Sequence, residues 1–198
     1  MAKIKLTKNE LKRQKDALKR FERYLPTLML KKQQLQLVIR QVEAEIRKKI
    51  QQREELLDGL QAWIRVFGED VPIDNILKVG SISTSVGNIA GVDIPVFDDI
   101  SFAVSPYNLI TLPLWVDRGI EVLREAIALD AEIHVLNRQL DRLRYELRIT
   151  TQRVNLFEKI KIPETKENIR RIRIVLGDEQ TASVVRGKIA KRNLVRES

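Results

Sequence analysis

A seven-residue repeat of apolar side chains occupies the first third of the chain and limits what it can fold into. One set of positions reads Leu11, Leu18, Leu25, Lys32, Ile39, Ile46, Arg53 and Leu60, and the set three residues later reads Gln14, Phe21, Leu28, Leu35, Val42, Lys49, Leu56 and Trp63. Twelve of these sixteen positions are apolar. This spacing is typical of the narrow seam of a coiled coil, because a globular helix carries a broader apolar stripe.

The sequence also marks the two ends of this first helix. Thr7 and Glu10 have the spacing of a capping box, in which a hydroxyl and a carboxylate bind the free amides of the first turn. Gly68 follows the last apolar residue and Pro72 comes soon after, which predicts the end of the helix. Pro26 lies inside it and predicts a kink near Phe21–Glu22.

A second apolar seam lies in the last third of the chain. Its members are Ile133, Leu136, Leu140, Leu143, Leu147, Val154 and Phe157. The register resumes one residue late, at Ile162, Ile169 and Leu176, and Pro163 lies at this slip. A one-residue slip forces local rewinding, so we expect a kink or skip there. Gly177 and Gly187 weaken the last stretch, which we expect to be helical only when a partner holds it.

Residues 71–112 differ from both seams. β-Branched or alternating runs at Ile82–Val86 and Val92–Val96, punctuated by glycines, predict a small β-hairpin or a pair of short strands. Pro113 suits the first turn of the second helix. The predicted fold is mainly α: a long antiparallel two-helix coiled coil formed by the N- and C-terminal helices, with a small central β-hairpin and short-helix module. The segments are 1–70, 71–112 and 113–198, within one elongated domain.

Charge is distributed unevenly along the chain. Residues 1–53 hold 16 Lys and Arg against 5 Asp and Glu, residues 54–135 hold 4 against 14, and residues 136–198 hold 16 against 8. The net charges of +11, −10 and +8 sum to the overall +9. Asymmetry of this size indicates that the basic arms and the acidic centre meet different surroundings.

Few side chains could carry out chemistry. Cysteine is absent and His134 is the single histidine, which excludes disulfides, thiolate sites and histidine clusters. Asp130 and Arg138 lie one helical turn from His134 and are more simply ion partners on a helix surface. Asp98 and Asp99 have no third ligand at a suitable spacing, so we expect a solvated loop. We therefore predict no catalytic site, no metal and no cofactor.

The glycine- and serine-rich segment 79–91 resembles a nucleotide-binding loop only superficially. No Lys-Ser or Lys-Thr pair follows its second glycine, and the Gly-x-Gly-x-x-Gly pattern is missing. Hairpin turns explain it better. No run reaches the roughly 18–20 apolar residues that span a bilayer, and the N-terminus has no apolar signal run. We expect a soluble, cytoplasmic protein without direct membrane insertion.

The basic arms, with Lys12, Lys15, Lys19 and Arg20 in the first of them, leave three interpretations open. They could bind nucleic acid, form a solvated face of the coiled coil, or sit inside an acidic protein sleeve. A basic helix can meet phosphates, yet the arms carry few exposed aromatics and no recognition motif. Composition alone does not separate the three.

Three stretches resemble the D subunit of V/A-type rotary ATPases. The first is Leu6-Thr-Lys-Asn-Glu-Leu-Lys-Arg-Gln-Lys-Asp-Ala-Leu18, with Leu28 and Lys31-Lys32-Gln-Gln-Leu35. The second is Asn88-Ile-Ala-Gly-Val-Asp-Ile-Pro-Val-Phe97, which is similar to the family's Asn-Val-Ala-Gly-Val-x-x-Pro segment. The third is Thr151-Gln-Arg-Val-Asn-Leu-Phe-Glu158, with Ile162-Pro163 and Asn168-Ile169. Departures are Gln152, where a basic residue is usual, Pro26, and a tail after Gly177 that lacks the usual Leu-Asp-Glu-x-Glu-Arg run.

The resemblance implies a rotor shaft without its own catalytic site, present once in a peripheral complex at the cytoplasmic membrane. The implied partners are the catalytic A and B subunits of the hexameric head, the F subunit of the central stalk, and the funnel-shaped subunit on the membrane rotor ring, with no nucleic acid. The residues expected at partner contacts are Lys12, Lys15, Lys19, Arg20, Asn88, Gly91, Pro95, Arg153, Asn155, Phe157, Ile162, Pro163, Arg186 and Lys191. The alternatives are a free-standing coiled-coil adaptor or chaperone, and a basic nucleic-acid-binding protein. The coupling ion, proton or sodium, stays open.

Overall fold

The structure is a computed structural model of the 198-residue chain. It describes residues 4–59, 71, 73–106, 112–113 and 115–197. The predicted end of the first helix at Gly68 and Pro72, and the seam positions Leu60 and Trp63, lie outside the described residues.

Long helices account for most of the described chain. Helix α1 covers Lys8–Gly59, and a short helix α2 covers Ile73–Ile76. Strands β1 (Leu77–Ile89) and β2 (Val92–Val104) form one antiparallel hairpin. Helix α3 covers Val116–Asn155, a π-helix covers Leu156–Lys161, and α4 covers Ile162–Glu197. The mainly helical class with a central hairpin is therefore confirmed, and none of the described helices has the length and hydropathy to cross a membrane.

The first seam forms as the heptad repeat predicts. Of its sixteen positions, fourteen lie in the described residues, and every one of these is buried or half-buried. Leu35, Ile39, Val42 and Ile46 are the most deeply buried residues of α1. Thr7 caps the helix: its hydroxyl accepts from the Glu10 amide at 3.3 Å. Pro26 stays inside α1 without ending it, and the kink near Phe21–Glu22 stays a prediction.

The chain divides into two compact units. Unit 1 consists of Met1–Lys32 and Ile149–Ser198, and unit 2 of Gln33–Arg148. In unit 2, four α1 residues pack with Leu136, Leu140 and Leu143 of α3 and with Ile94 of β2 in one buried cluster. A second cluster joins Ile76, Leu77, Trp115, Val116 and Ile120. In these clusters apolar side chains of α1, α3 and the hairpin are thus buried against one another within unit 2.

Ion pairs in unit 2 give the direction of helix packing. Glu43 contacts Arg144 at 2.7 Å, Lys49 contacts Glu132 at 2.7 Å, and Arg53 contacts Asp130 at 2.8 Å. Partner numbers fall as α1 numbers rise, so α1 and α3 pack antiparallel. Helix α3 begins at Val116 rather than at Pro113, whose carbonyl instead accepts the Val116 amide at 3.1 Å.

The hairpin turns through two residues with positive φ, Ala90 at 52° and Gly91 at 73°. Positive φ at both central residues defines a type I′ turn, whose twist matches that of the flanking strands. Each strand has 13 residues, longer than predicted. The register shifts twice: between Val79 and Ile82, where β1 has one extra residue, and between Ser83 and Thr84, where β2 has one extra residue between Phe97 and Asp99. Asp98 and Asp99 therefore lie at a bulge of β2; both side chains are exposed as expected, but the predicted loop is wrong because the backbone is a strand.

In unit 1 the α1 segment packs against the π-helix and α4. The Phe21 and Phe157 rings lie 5.2 Å apart, and Lys166 contacts Glu22 at 3.3 Å. Val154, Ile169 and Ile172 are buried. The predicted interruption near Pro163 is confirmed as the π-helix Leu156–Lys161, which absorbs the extra residue of the slipped register.

Helix α4 continues through Gly177 and Gly187 to Glu197. Each glycine costs about 1 kcal/mol of helix stability relative to alanine, yet the helix spans both positions. That a partner is needed to hold this stretch stays a prediction. All described side chains from 177 to 193 are exposed.

Candidate partner-binding surfaces

Unit 1 carries an open groove flanked by positive charge. Its cations lie on α1 and α4, and its floor is apolar, formed by Leu18, Ile169 and Ile174. We call this surface the basic groove and define it by Lys15, Lys19, Lys166, Arg170 and Arg173. Two of the predicted contact residues, Lys15 and Lys19, are thus brought together with three α4 cations that the sequence analysis did not select.

Two cations of the basic groove are neutralised locally. Lys166 pairs with Glu22, while Arg170 donates two hydrogen bonds to Glu167, at 2.8 and 3.0 Å. Hydrogen bonds from Arg170 and then Arg171 lower the pKa of Glu167 from 4.5 to about 2, because they stabilise the charged carboxylate.

The other three cations of the groove lack such partners. Among the described side chains, no carboxylate pairs with Lys15, Lys19 or Arg173. Unpaired cations beside an apolar floor suit a partner that supplies carboxylates.

Lys12 and Arg20 belong to a different surface. Both line a shallow depression on α1 with Arg13, Asp16 and Asn9, and both are exposed. The first basic arm therefore offers two basic surfaces rather than one.

Predicted residues around the π-helix divide into exposed and packed side chains. Arg153 and Asn155 are exposed, whereas Phe157 is half-buried against Phe21. The Ile162 amide donates to the Phe157 carbonyl, five residues back, as in a π-helix. Ile162 is half-buried and Pro163 is exposed. Phe157 and Ile162 are thus accounted for by packing, while Arg153, Asn155 and Pro163 are accessible.

Pro163 lines an apolar groove beside the N-terminal segment, within unit 1. Its apolar lining comes from Ile4, Leu6, Ile160, Pro163, Ile172, Ile174 and Val175. Polar positions include Asn168, which is buried. Thr165, also buried, donates to the Lys161 carbonyl at 2.6 Å and so satisfies a backbone group at the end of the π-helix.

The predicted hairpin residues have structural roles of their own. Asn88 donates to Asp93 at 2.7 Å and accepts from the Gly91 amide at 3.1 Å, so its side chain closes the turn. Gly91 has a positive φ. Pro95 is half-buried in β2, opposite Val86. Their assignment as partner contacts stays a prediction.

The tail residues Arg186 and Lys191 lie on the fully exposed part of α4. Apolar residues Val184, Val185 and Ile189 are exposed with them. This part of α4 therefore presents both cations and apolar side chains to whatever surrounds it.

Other candidate residues have simple local explanations. His134 is exposed, and its predicted neighbour Asp130 pairs instead with Arg53. Asp98 accepts a hydrogen bond from the Ser85 hydroxyl at 2.8 Å. The serine-rich segment forms β1 and the turn, and in the part of the chain that the structure describes no three His, Cys, Asp or Glu side chains group as a metal site.

The basic groove could have been found from sequence by one further step. Lys166, Arg170 and Arg173 follow an i, i+4, i+7 spacing, which places them on one face of a helix. The missing information was the antiparallel register that brings this face beside Lys15 and Lys19.

Paired long helices, a central hairpin and exposed basic surfaces are typical of an α-helical subunit of a larger protein complex. The family model for the ATP synthase D subunit matches residues 10–192, and the chain belongs to this family. It is 50% identical over 198 residues to the V-type ATP synthase D subunit of Borreliella burgdorferi, covering 100% of this chain and 98% of that protein. The corresponding proteins of Chlamydia caviae and Chlamydia felis are 34% and 35% identical over 194 residues, covering 96% of this chain and 93% of each.

Proposed function

We propose that this chain is the central rotor shaft of a V-type rotary ATP synthase and couples ATP turnover in a catalytic head to ion transport across a membrane. The observation that carries the proposal is the family match over residues 10–192, together with an antiparallel helix pair whose seam follows the predicted heptads. The chain would act as one component of a multi-subunit complex, in one copy, with no catalytic site of its own.

The two units would meet different partners. Unit 1, with both chain termini and the basic groove, would lie inside the hexamer of catalytic A and B subunits. Unit 2, with the acidic centre and the hairpin, would carry the F subunit. The funnel-shaped subunit would connect this chain to the membrane rotor ring. The chain would then lie at the cytoplasmic side of the membrane, as a peripheral subunit. No nucleic acid and no direct membrane insertion are involved.

Torque would arise from the inequality of the two helices. Each angular position of an asymmetric shaft favours a different conformation of each surrounding catalytic site. The gradient of that preference with angle is a torque. A buried seam transmits it, because close-packed side chains yield little under strain. In unit 2 this seam contains Leu35 and Leu143, both fully buried.

The basic groove would make the electrostatic contact with the head. Lys15, Lys19 and Arg173 have no carboxylate partner among the described residues. A ring of partner carboxylates would attract them diffusely at every angle, and screened attraction holds a shaft without fixing one orientation. This interpretation favours the acidic sleeve over nucleic acid.

The deciding experiment is a pull-down of the tagged full-length chain from its native cells, with the retained partners identified by mass. Recovery of the A and B subunits together with the F subunit supports the proposal. Recovery of nucleic acid or of unrelated client proteins, without ATPase subunits, overturns it in favour of the nucleic-acid-binding or adaptor alternative.

Charge reversal tests the groove separately. The double variant Lys15→Glu, Lys19→Glu should retain fewer A and B subunits than the wild-type chain. The matched control is Arg47→Glu, Lys48→Glu, which reverses two exposed cations on the same helix within unit 2. Equal loss for both variants, or none for either, would show that the groove makes no specific contact.

A further inference from the structure

The outer edge of strand β1 is open and uncharged. The sheet has two strands, so among the described residues nothing pairs with β1 on its other side. No charged residue occurs between Val79 and Ile89. An exposed edge of this length and composition is a template for pairing with another strand, and proteins normally block such edges.

The edge of β2 is blocked by comparison. It carries Asp93, Asp98 and Asp99, a bulge at the last two, and Pro95. Strand β1 has one extra residue between Val79 and Ile82, but none from Ile82 to Ile89, so the uninterrupted open edge is that later run. A two-residue type I′ turn is closed by a pair that exchanges both backbone hydrogen bonds, and such pairs then alternate along the ladder. The closing pair here is Ile89↔Val92, and Val86↔Pro95 lies three pairs further along the ladder. By the alternation, Val86 and Pro95 do not exchange backbone hydrogen bonds. The missing amide hydrogen of Pro95 therefore faces outward and interrupts this edge.

The alternation of hydrogen-bonded pairs also determines which backbone groups of β1 face outward. Asn88, Val86 and Thr84 direct their amides and carbonyls away from β2, toward the open edge. Both faces of β1 from Lys78 to Val86 are also exposed, with Ile82 at 45% and Val86 at 77%. The helices of unit 2 therefore do not cover this part of the strand.

The strand is complementary to itself in one antiparallel register. With Thr84 opposite Thr84 of a second copy, Ile82 lies opposite Val86 and Ser83 opposite Ser85, on both sides of a two-fold axis. Pairs of β-branched residues stabilise antiparallel ladders, and like charges directly opposite destabilise them. No charge meets its copy in this register, and a two-fold interface of this kind closes on itself.

We propose that the free chain forms a homodimer by antiparallel pairing of β1 edges across a two-fold axis at Thr84. The occupant of the edge is a second copy of this chain, because its own β1 sequence supplies the uncharged, β-branched pattern that the edge requires. The pairing buries the open edge before the chain enters a larger assembly. It concerns the isolated protein and does not depend on the proposed rotor function.

The first test is the sedimentation behaviour of the full-length chain as a function of concentration. Wild-type protein should associate to a dimer. Thr84→Lys, which places an exposed lysine opposite its own copy, should weaken association by about tenfold or more. Thr84→Ser, which keeps the position neutral, should associate like the wild type. A monomeric wild type at all concentrations, or equal association of Thr84→Lys, overturns the proposal.

The second test fixes the register and uses the absence of natural cysteines. Thr84→Cys lies opposite itself, at the Cα separation of about 5.5 Å that hydrogen-bonded pairs have and disulfides accept. Lys78→Cys lies about 40 Å from its copy, as twelve residues rise about 3.4 Å each. Mild oxidation should therefore link Thr84→Cys chains and leave Lys78→Cys chains unlinked. Equal linking of the two variants would contradict this register.

Discussion

Leu35 and Leu37 offer a direct test of the seam, because they are the same residue type two positions apart on one helix. Leu35 is 0% exposed and belongs to the buried cluster of unit 2, whereas Leu37 is 59% exposed. Leu35→Ala removes buried methyl groups and leaves a cavity, which typically costs about 3 kcal/mol. Leu37→Ala removes atoms that are already solvated, and alanine is slightly the better helix former, so we expect a change within about 0.5 kcal/mol.

The assay is urea unfolding followed by circular dichroism at the helix band. With a slope of about 2 kcal/mol per molar urea, a loss of about 3 kcal/mol lowers the midpoint by roughly 1.5 M. Leu37→Ala should move it by less than about 0.3 M on the same basis. An unchanged slope in both variants would show that the midpoint shift reflects a change in stability and not a change in the surface exposed on unfolding. Midpoint shifts of equal size would refute the reasoning, since burial against α3 would then not distinguish the two positions.

Three further tests use single positions. Gly91→Ala should destabilise the chain by about 1 kcal/mol because the φ of Gly91 is 73°. Gly177→Ala should stabilise it by about 1 kcal/mol because a helical, uncrowded glycine is replaced. The two melting temperatures should shift in opposite directions, and shifts in the same direction would contradict one of the two expectations. Asn88→Ala removes two hydrogen bonds of the turn and should cost about 1 kcal/mol, visible as faster amide exchange in the hairpin. Glu167 should titrate near its lowered pKa of about 2, so its contribution to stability is complete above 4.5, the value without partners, and is lost as the pH falls toward 2. An NMR titration measures this pKa, which Arg170→Gln should raise.

The seams were predictable because they depend on periodicity alone. The heptads of α1 placed every described seam position at a buried or half-buried site. The one-residue slip before Pro163 likewise predicted a local rewinding, and the π-helix Leu156–Lys161 provides it. In both cases the signal is a spacing within one helix, which the sequence states directly.

Features that depend on which residues meet across the helices were not predictable. The basic groove requires Lys15 and Lys19 to lie beside α4, and no periodicity within one helix gives that register. The conformation of the turn was not predictable for a different reason: Ala90 has a positive φ that alanine seldom adopts. Its half-buried side chain packs against the core of unit 2, so tertiary packing outweighs the local backbone preference.

Two cations at seam positions explain how the register of unit 2 is selected. Lys49 and Arg53 occupy places where apolar residues are usual, and they pair with Glu132 and Asp130 at 2.7 and 2.8 Å. Ion pairs of this kind contribute little net stability, because desolvation opposes the attraction. A shift of α1 by one heptad, however, would separate these charges from their partners and place them against apolar side chains. We infer that the two ion pairs raise the free energy of alternative registers between α1 and α3. The rotor role proposed above would require this property, since two registers of similar energy would allow the helices to slip past each other under torque.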